Sequence, residues 1–177
     1  IKRSIKEDKI DFVVMGTSGA TGWDAFFVGT NAGAVISGID VPMLCVPSEA
    51  KFKKIEIIGF TTRFRTKDKK ALKMVLDIAK KTKAKVKCLY VKTSDSDVSK
   101  DTVAKWEEEF INEPVEFFVI TSDEVKETIL DFIMYKEIDI LTMLTYKRGF
   151  FEAIFKPSLT KKIATNFDIP MLAIHVD

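Results

Sequence analysis

The sequence contains a copy of part of itself. Sliding residues 9–47 onto 137–175, an offset of 128 with no gap, places Ile10 on Ile138, Asp11 on Asp139, Met15 on Met143 and Thr17 on Thr145. The match runs on through Ala25 and Ala153, Phe27 and Phe155, Asp40 and Asp168, and Pro42-Met43-Leu44 on Pro170-Met171-Leu172. About ten identities over roughly forty ungapped positions, most of them at strand or helix sites, exceed what shared composition produces. The offset is also close to the length of one small domain. The expected organisation is therefore a complete copy over 51–177, preceded by the closing part of an earlier copy over 1–50 whose first roughly eighty residues lie outside these 177.

Hydrophobic periodicity supplies the elements. Ile1–Asp8 reads as the last turns of a surface helix, with Ile1 and Ile5 on one face. Asp11–Met15 and Val41–Pro47 are short apolar runs without alternation, as in parallel strands covered on both sides; between them, Gly29–Ser37 has a helical pattern. From Ala50 the pattern restarts. Strands are expected at Ile55–Phe60, Val86–Val91, Val115–Ile120, Ile138–Leu144 and Pro170–Val176. Helices are expected at Lys67–Thr82, Lys100–Phe110, Ser122–Tyr135, with Ser122 as N-cap, and Ser158–Asn166. Strands alternating with helices of this length imply an α/β fold: an open, parallel, five-stranded, Rossmann-like sheet with helices on both faces, plus a partial second copy.

One loop carries chemistry. After the apolar run Phe12–Met15 come Gly16-Thr17-Ser18-Gly19, and ten residues beyond Gly19 stand Gly29 and Thr30. Glycines let backbone N–H groups approach an anion closely, and the first turn of a following helix adds free donors and the positive end of its dipole. The arrangement outlines a phosphate cradle; a strand-to-helix connection needing tight turns is the plainer reading of the same glycines. The repeat separates the two copies here. Gly16, Gly19, Gly22 and Gly29 fall on Leu144, Lys147, Phe150 and Pro157, and only Thr30 keeps its chemistry, opposite Ser158. Side chains and a missing N–H would spoil a loop that must wrap a phosphate.

These residues resemble the universal stress protein family. Asp11–Gly19, Gly29-Thr30 and Val41–Pro47 are similar to the carboxyl half of one of its domains, and Gly16, Gly19, Gly29 and Thr30 match the spacing of its ATP-binding members, Gly-x2-Gly-x9-Gly-(Ser/Thr). The resemblance extends over 51–177 as a second domain of the same kind. It implies that ribose and phosphates would sit on Gly16, Gly19, Gly29 and Thr30, flanked by Thr17 and Ser18. It also implies that the adenine end would be held by the first strand, usually through an aspartate at its carboxyl end. In the second copy Phe60 or a neighbour falls at that position; in the first copy the strand is not among these residues. ATP is thus the expected ligand of the intact tandem protein through its first copy, with this chain alone binding it weakly or not at all. The resemblance further implies that the last strands of the two domains pair across a pseudo-twofold.

The remaining chemistry is sparse. The net charge of +2 gives no case for a nucleic-acid partner, and the lysines of the second quarter read as solvated helix faces. No apolar stretch is long enough to span a bilayer and no signal peptide is apparent, so a cytoplasmic protein without a membrane partner is expected. Cys45 and Cys88 lie in apolar surroundings without metal or redox spacing. His175, the only histidine, has no cluster that would make it a ligand, so no metal site is expected. Ser18 lacks an activating base, and no catalytic residue is assigned. Glu107-Glu108-Glu109 reads as a solvated face. Lys147-Arg148 with Phe150, Phe151 and Phe155 reads either as packing on the sheet or as a docking surface. An uncovered strand edge at Asp11–Met15 leads to the expectation of a homo-oligomer, most simply a dimer, with protein partners left unidentified. Two functions compete: a nucleotide-responsive stress-response regulator or binding module, and a scaffold that acts through domain dimerisation without nucleotide. An enzyme is not expected.

Overall fold

A computed structural model describes residues 1–17, 35–36, 38–146 and 169–176. It divides into two compact units, one of Ile1–Phe52 with Thr145–His175, the other of Lys53–Leu144 with Val176.

The first unit holds helix α1 (Lys2–Glu7) and strands β1 (Val13–Thr17), β2 (Met43–Pro47) and β7 (Met171–His175). β1 and β2 are parallel, with Val13 opposite Met43 and Thr17 opposite Pro47. β2 and β7 are antiparallel, with Met43 opposite Ala173, Leu44 opposite Leu172 and Cys45 opposite Met171. β7 is β2 displaced by the repeat offset, and the central pair, Leu44 and Leu172, consists of equivalent residues. A local twofold therefore passes through that pair. Burial pushes the Cys45 thiol up to about 12, which leaves it an unreactive small hydrophobe.

The second unit contains β3 (Ile57–Thr61), α2 (Asp68–Thr82), β4 (Lys85–Lys92), α3 (Lys100–Glu109), β5 (Val115–Thr121), α4 (Val125–Tyr135) and β6 (Ile140–Thr145), of which Thr145 is grouped with the first unit. Its strands are parallel in the order β6-β3-β4-β5. Successive residues of a strand point to opposite faces, and β5 shows what each face carries. Phe117 meets Trp106 of α3 and Phe110 just beyond it, while Phe118 meets Phe132 of α4. Helices thus cover both faces, and the chain has the expected α/β architecture with mostly parallel strands.

Local rules explain the helices. α2 buries Ala71, Leu72, Val75, Leu76 and Ala79 along one stripe and turns its lysines outward. It ends at Lys83, which is left-handed at φ 59, while the Ala84 N–H reaches back to the Ala79 carbonyl, closing a Schellman turn without a glycine. α3 is capped by Ser99, whose hydroxyl accepts from the Thr102 N–H. Glu109, expected to be merely solvated, joins α3 to α2 through Lys69 and Lys73, and the Lys69 hydrogen bond, the largest influence, holds its carboxyl below the usual range.

The strands differ from expectation mainly at their ends. β1 starts at Val13 rather than Asp11, and β3 runs Ile57–Thr61 rather than Ile55–Phe60, so Phe60 is interior and fully buried while Thr61 and Thr62 occupy the carboxyl end. β6 starts at Ile140 rather than Ile138, because Ile138 still donates to Ile133 of the preceding helix. Ser122 is not the N-cap of α4: its hydroxyl accepts from Glu124 N–H in a turn ahead of the helix, and Glu124 is the cap residue. The helices expected at Gly29–Ser37 and Ser158–Asn166 lie largely or wholly outside the described residues.

Two contacts fix β3 against β6. The Asp139 Oδ2 atom accepts from the Glu56 and Ile57 N–H groups at 2.8 and 2.9 Å, and Oδ1 pairs with Lys53 Nζ at 2.6 Å. Gly59, midway along β3, allows the close approach: an added Cβ would lie 2.9 Å from Ile138 Cγ2 and 3.1 Å from Leu141 Cδ1. Gly59→Ala is expected to cost about 1–3 kcal/mol in urea unfolding. Burial opposes ionisation of Asp139, but Lys53 and the two N–H groups outweigh it and hold the carboxyl below its usual value. A carboxyl lowered on folding adds stability above its unfolded value, and that stability fades as pH falls through the folded one. Wild-type urea midpoints should therefore drop below about pH 4, while Asp139→Asn, weaker at neutral pH, should show a shallower acid limb.

Candidate functional site

In an open parallel sheet the place for a ligand is the crevice at the carboxyl ends of strands where the chain order reverses. In the second unit that point lies between β3 and β6, since β4 and β5 extend the sheet on one side of β3 and β6 lies on the other. Thr61 and Thr62 emerge there. The Thr61 hydroxyl donates to the Thr142 carbonyl at 3.2 Å. The Thr62 hydroxyl, buried, donates to Asp68 Oδ2 at 2.9 Å and accepts from the Phe64 N–H at 2.8 Å.

Asp68, the first residue of α2, organises the loop. Its side chain is fully buried, and Oδ2 also accepts from the Arg63 and Arg65 N–H groups at 3.0 and 3.2 Å. Both amides can face one oxygen because Phe64 between them is left-handed, at φ 53. Alternation of right- and left-handed residues makes a backbone concavity that attracts anions. A left-handed aromatic residue is unfavourable by itself. Here the ring is buried edge-on against Tyr90 and Trp106, at centroid distances of 5.4 and 5.1 Å. The concavity and the positive helix end thus receive a carboxylate from the chain itself. Asp68 also helps keep the buried Cys88 thiol protonated: burial raises that thiol first, and the nearby negative charge raises it further.

In the first unit, Gly16 and Thr17 end β1. Gly16 is exposed, and a Cβ built on it meets nothing within 4 Å among the described residues. Its counterpart Leu144 is 3% exposed. Ser18, Gly19, Gly29 and Thr30 lie outside the described residues, as do Lys147, Arg148, Phe150, Phe151 and Phe155. His175 is half-buried on β7, its Nδ1 2.9 Å from the Thr145 hydroxyl. Among the described residues no group of three or more His, Cys, Asp or Glu side chains could hold a metal, and no helix is long and apolar enough to cross a membrane. Sequence reasoning missed the Thr62–Asp68 network. Its signal was an aspartate opening α2, six residues after a threonine at a strand end, and periodicity gives that spacing no weight.

A family model described as the universal stress protein family matches residues 1–47 and 55–175. The chain belongs to that family. A universal stress protein from Archaeoglobus fulgidus DSM 4304 is similar in structure, with a TM-score of 0.72 at 15% identity over 98% of this chain and 64% of that one. A putative universal stress protein from Pseudomonas aeruginosa UCBPP-PA14 gives 0.69 at 8% identity, over 99% of this chain and 67% of that one. A universal stress protein in complex with cAMP gives 0.50 at 11% identity, over 71% of this chain and all of that one. No curated protein matches the chain. At these identities the likeness concerns the fold, and the chain spans less than two thirds of the length of the Archaeoglobus protein.

Removing the Asp68 carboxylate would leave two N–H groups and a hydroxyl without their acceptor in a dry site. Asp68→Ala should cost about 2–4 kcal/mol by urea denaturation, and Asp68→Asn, which keeps one oxygen, less. Gly16→Ala, which meets no neighbour among the described residues, should change stability by no more than about 0.5 kcal/mol.

Proposed function

We propose that this chain is the carboxyl part of a tandem universal stress protein, in which residues 1–50 close a nucleotide-responsive first domain and 51–177 form a second domain without a nucleotide site. The observation that carries the reading is the contrast at one repeat position. Gly16 has no left-handed backbone and, among the described residues, no crowded neighbour to require a glycine, whereas Leu144 is packed into the core. Close approach of a ligand is one physical reason for a glycine at the end of β1, ahead of Gly19, Gly29 and Thr30. The Asp68 carboxylate supports the second half of the proposal, since it fills the amide concavity after β3, beside the position at which the family resemblance places the adenine end. Strands β1 and β2 recurring at the repeat offset as part of β6 and as β7 support the duplication.

The protein acts as a cytoplasmic stress-response regulator that binds rather than transforms its nucleotide, and it works as a homo-oligomer. ATP is the ligand class expected from the glycine spacing, and cAMP, held by a structural neighbour, is the second adenine nucleotide to test. A scaffold working through domain pairing is the competing reading, favoured by the antiparallel β2–β7 pair and by the self-satisfied Asp68 loop. Calorimetric titration separates them. ATP should bind the intact tandem protein, Gly29→Val should abolish that binding, and the 177-residue chain should show no saturation into the millimolar range. Tight stoichiometric binding by the 177-residue chain would refute the division of labour; silence from the intact protein would favour the scaffold.

A further inference from the structure

The sheet of the second unit ends at β5, which pairs with β4 and has no partner on its other side among the described residues. The Ser122 N–H donates to the Lys92 carbonyl at 3.0 Å, so by alternation the N–H and C=O groups of Phe117, Val119 and Thr121 face outward. Val115–Thr121 carries no lysine, proline or bulge of the kind that usually blunts an edge strand. A groove of about 450 Å³ is lined here by Phe110, Ile111, Phe117 and Phe118 and by the carboxylates of Glu107 and Glu116. Phe117 and Phe118 point to opposite faces, so a groove that both line follows the strand's open edge. Its apolar surface continues in Ile111, 76% exposed, and Val119, 45% exposed. Its charge is unbalanced. Glu109 and Glu113 are held by lysines of α2, whereas Glu107 and Glu116, both exposed, make no ion pair or hydrogen bond among the described residues. On the α4 face Lys136 lies over the Phe118 ring, 4.6 Å from its centroid, and leaves Glu116 unpaired.

We infer that the outer edge of β5 is a docking site for a partner protein, which adds to the sheet an extended apolar segment carrying lysine or arginine on both of its faces. The outward groups of Phe117, Val119 and Thr121 supply main-chain hydrogen bonds, and the groove beside Phe110 and Ile111 takes apolar side chains. Glu107 belongs to the α3 face of the sheet and Glu116 to the α4 face, so cations on both faces of the added strand find a carboxylate. Charge also argues against a second copy of this chain as the occupant. Two β5 edges paired antiparallel about Val119, the middle of the three outward residues, would bring Glu116 of each copy beside the Asp123-Glu124 turn of the other, and like charges across a strand pair are destabilising. The inference concerns the second unit alone and rests neither on the duplication nor on nucleotide binding.

The probe is a fluorescent synthetic peptide of residues 85–92 with Cys88→Ser, added to the 177-residue chain. Its sequence is that of β4, which β5 already accepts along its inner edge, and alternation sets Lys85 and Lys87 on one face and Lys92 on the other. Anisotropy should show saturable binding, and the same peptide with Lys85→Glu, Lys87→Glu and Lys92→Glu should not bind. In the protein, Glu107→Lys with Glu116→Lys should weaken binding by about tenfold or more. Val119→Pro, which removes only an outward N–H and is tolerated on an edge, should weaken it as much while leaving the charges in place. Urea midpoints check that both variants fold, and hydrogen exchange on the unaltered protein should show new protection at the Phe117, Val119 and Thr121 amides. Absent binding, equal binding of the two peptides, or protection elsewhere overturns the inference. Binding that a folded Val119→Pro leaves unchanged overturns it too, since the contact would then be charge attraction without an added strand. If light scattering shows a dimer that Val119→Pro converts to monomer, the occupant is a second copy and the stated partner is wrong.

Discussion

The hold of Asp139 on the start of β3 governs the second unit. β3 and β6 are far apart in sequence, and bringing them together has an entropic cost that local contacts do not offset. A carboxylate that takes two adjacent N–H groups fixes the strand's position along its length, which apolar packing alone leaves loose in a uniformly hydrophobic run. Gly59 then permits the close approach, with Ile138 and Leu141 lying where a side chain would otherwise be. Register set at the amino end determines what emerges at the carboxyl end. With Ile58 opposite Ile140, Thr61 and Thr62 leave the sheet at the switch point. A slip of one residue would bring Phe60 there instead.

The same chemistry recurs at the opposite end of β3. A strand-to-helix turn with convergent N–H groups and a helix amino terminus requires an acceptor whether or not a ligand is bound. Asp68 is that acceptor, and Thr62 completes its shell. The donors of this turn are therefore matched from within the chain, and the turn does not depend on a ligand for its acceptor.

Most of the architecture was legible in the sequence because its signals are local. The apolar stripe of α2, the apolar runs of the strands and the 128-residue offset can all be read along the line. Strand ends were less legible: Ile55 and Phe12 are as apolar as the residues that follow, and only hydrogen-bond partners decide where pairing begins. The left-handed turn at Phe64 had no signal, since that conformation favours glycine or asparagine, and an aromatic residue adopts it here through packing against Tyr90 and Trp106. Without that turn the convergence of Arg63 and Arg65 on Asp68 cannot be anticipated. Of the glycine loop, only Gly16 and the Thr17 backbone are described, and the exposure of Gly16 is something the letter G does not report.

The antiparallel pair β2–β7 brings together the two segments that share Pro-Met-Leu. About the twofold through Leu44 and Leu172, Met43 lies opposite Ala173 and Met171 opposite Cys45, so each long side chain faces a short one. An interface built from equivalent surfaces must remain complementary to itself, and a change on one strand alters the fit of its equivalent on the other. Pro-Met-Leu is accordingly identical in the two segments. A ligand loop has no such reciprocal partner. Leu144, Lys147, Phe150 and Pro157, which a phosphate cradle could not accommodate, stand opposite Gly16, Gly19, Gly22 and Gly29 in the repeat, so the pattern of identity along it maps which positions the β2–β7 pairing constrains and which it does not.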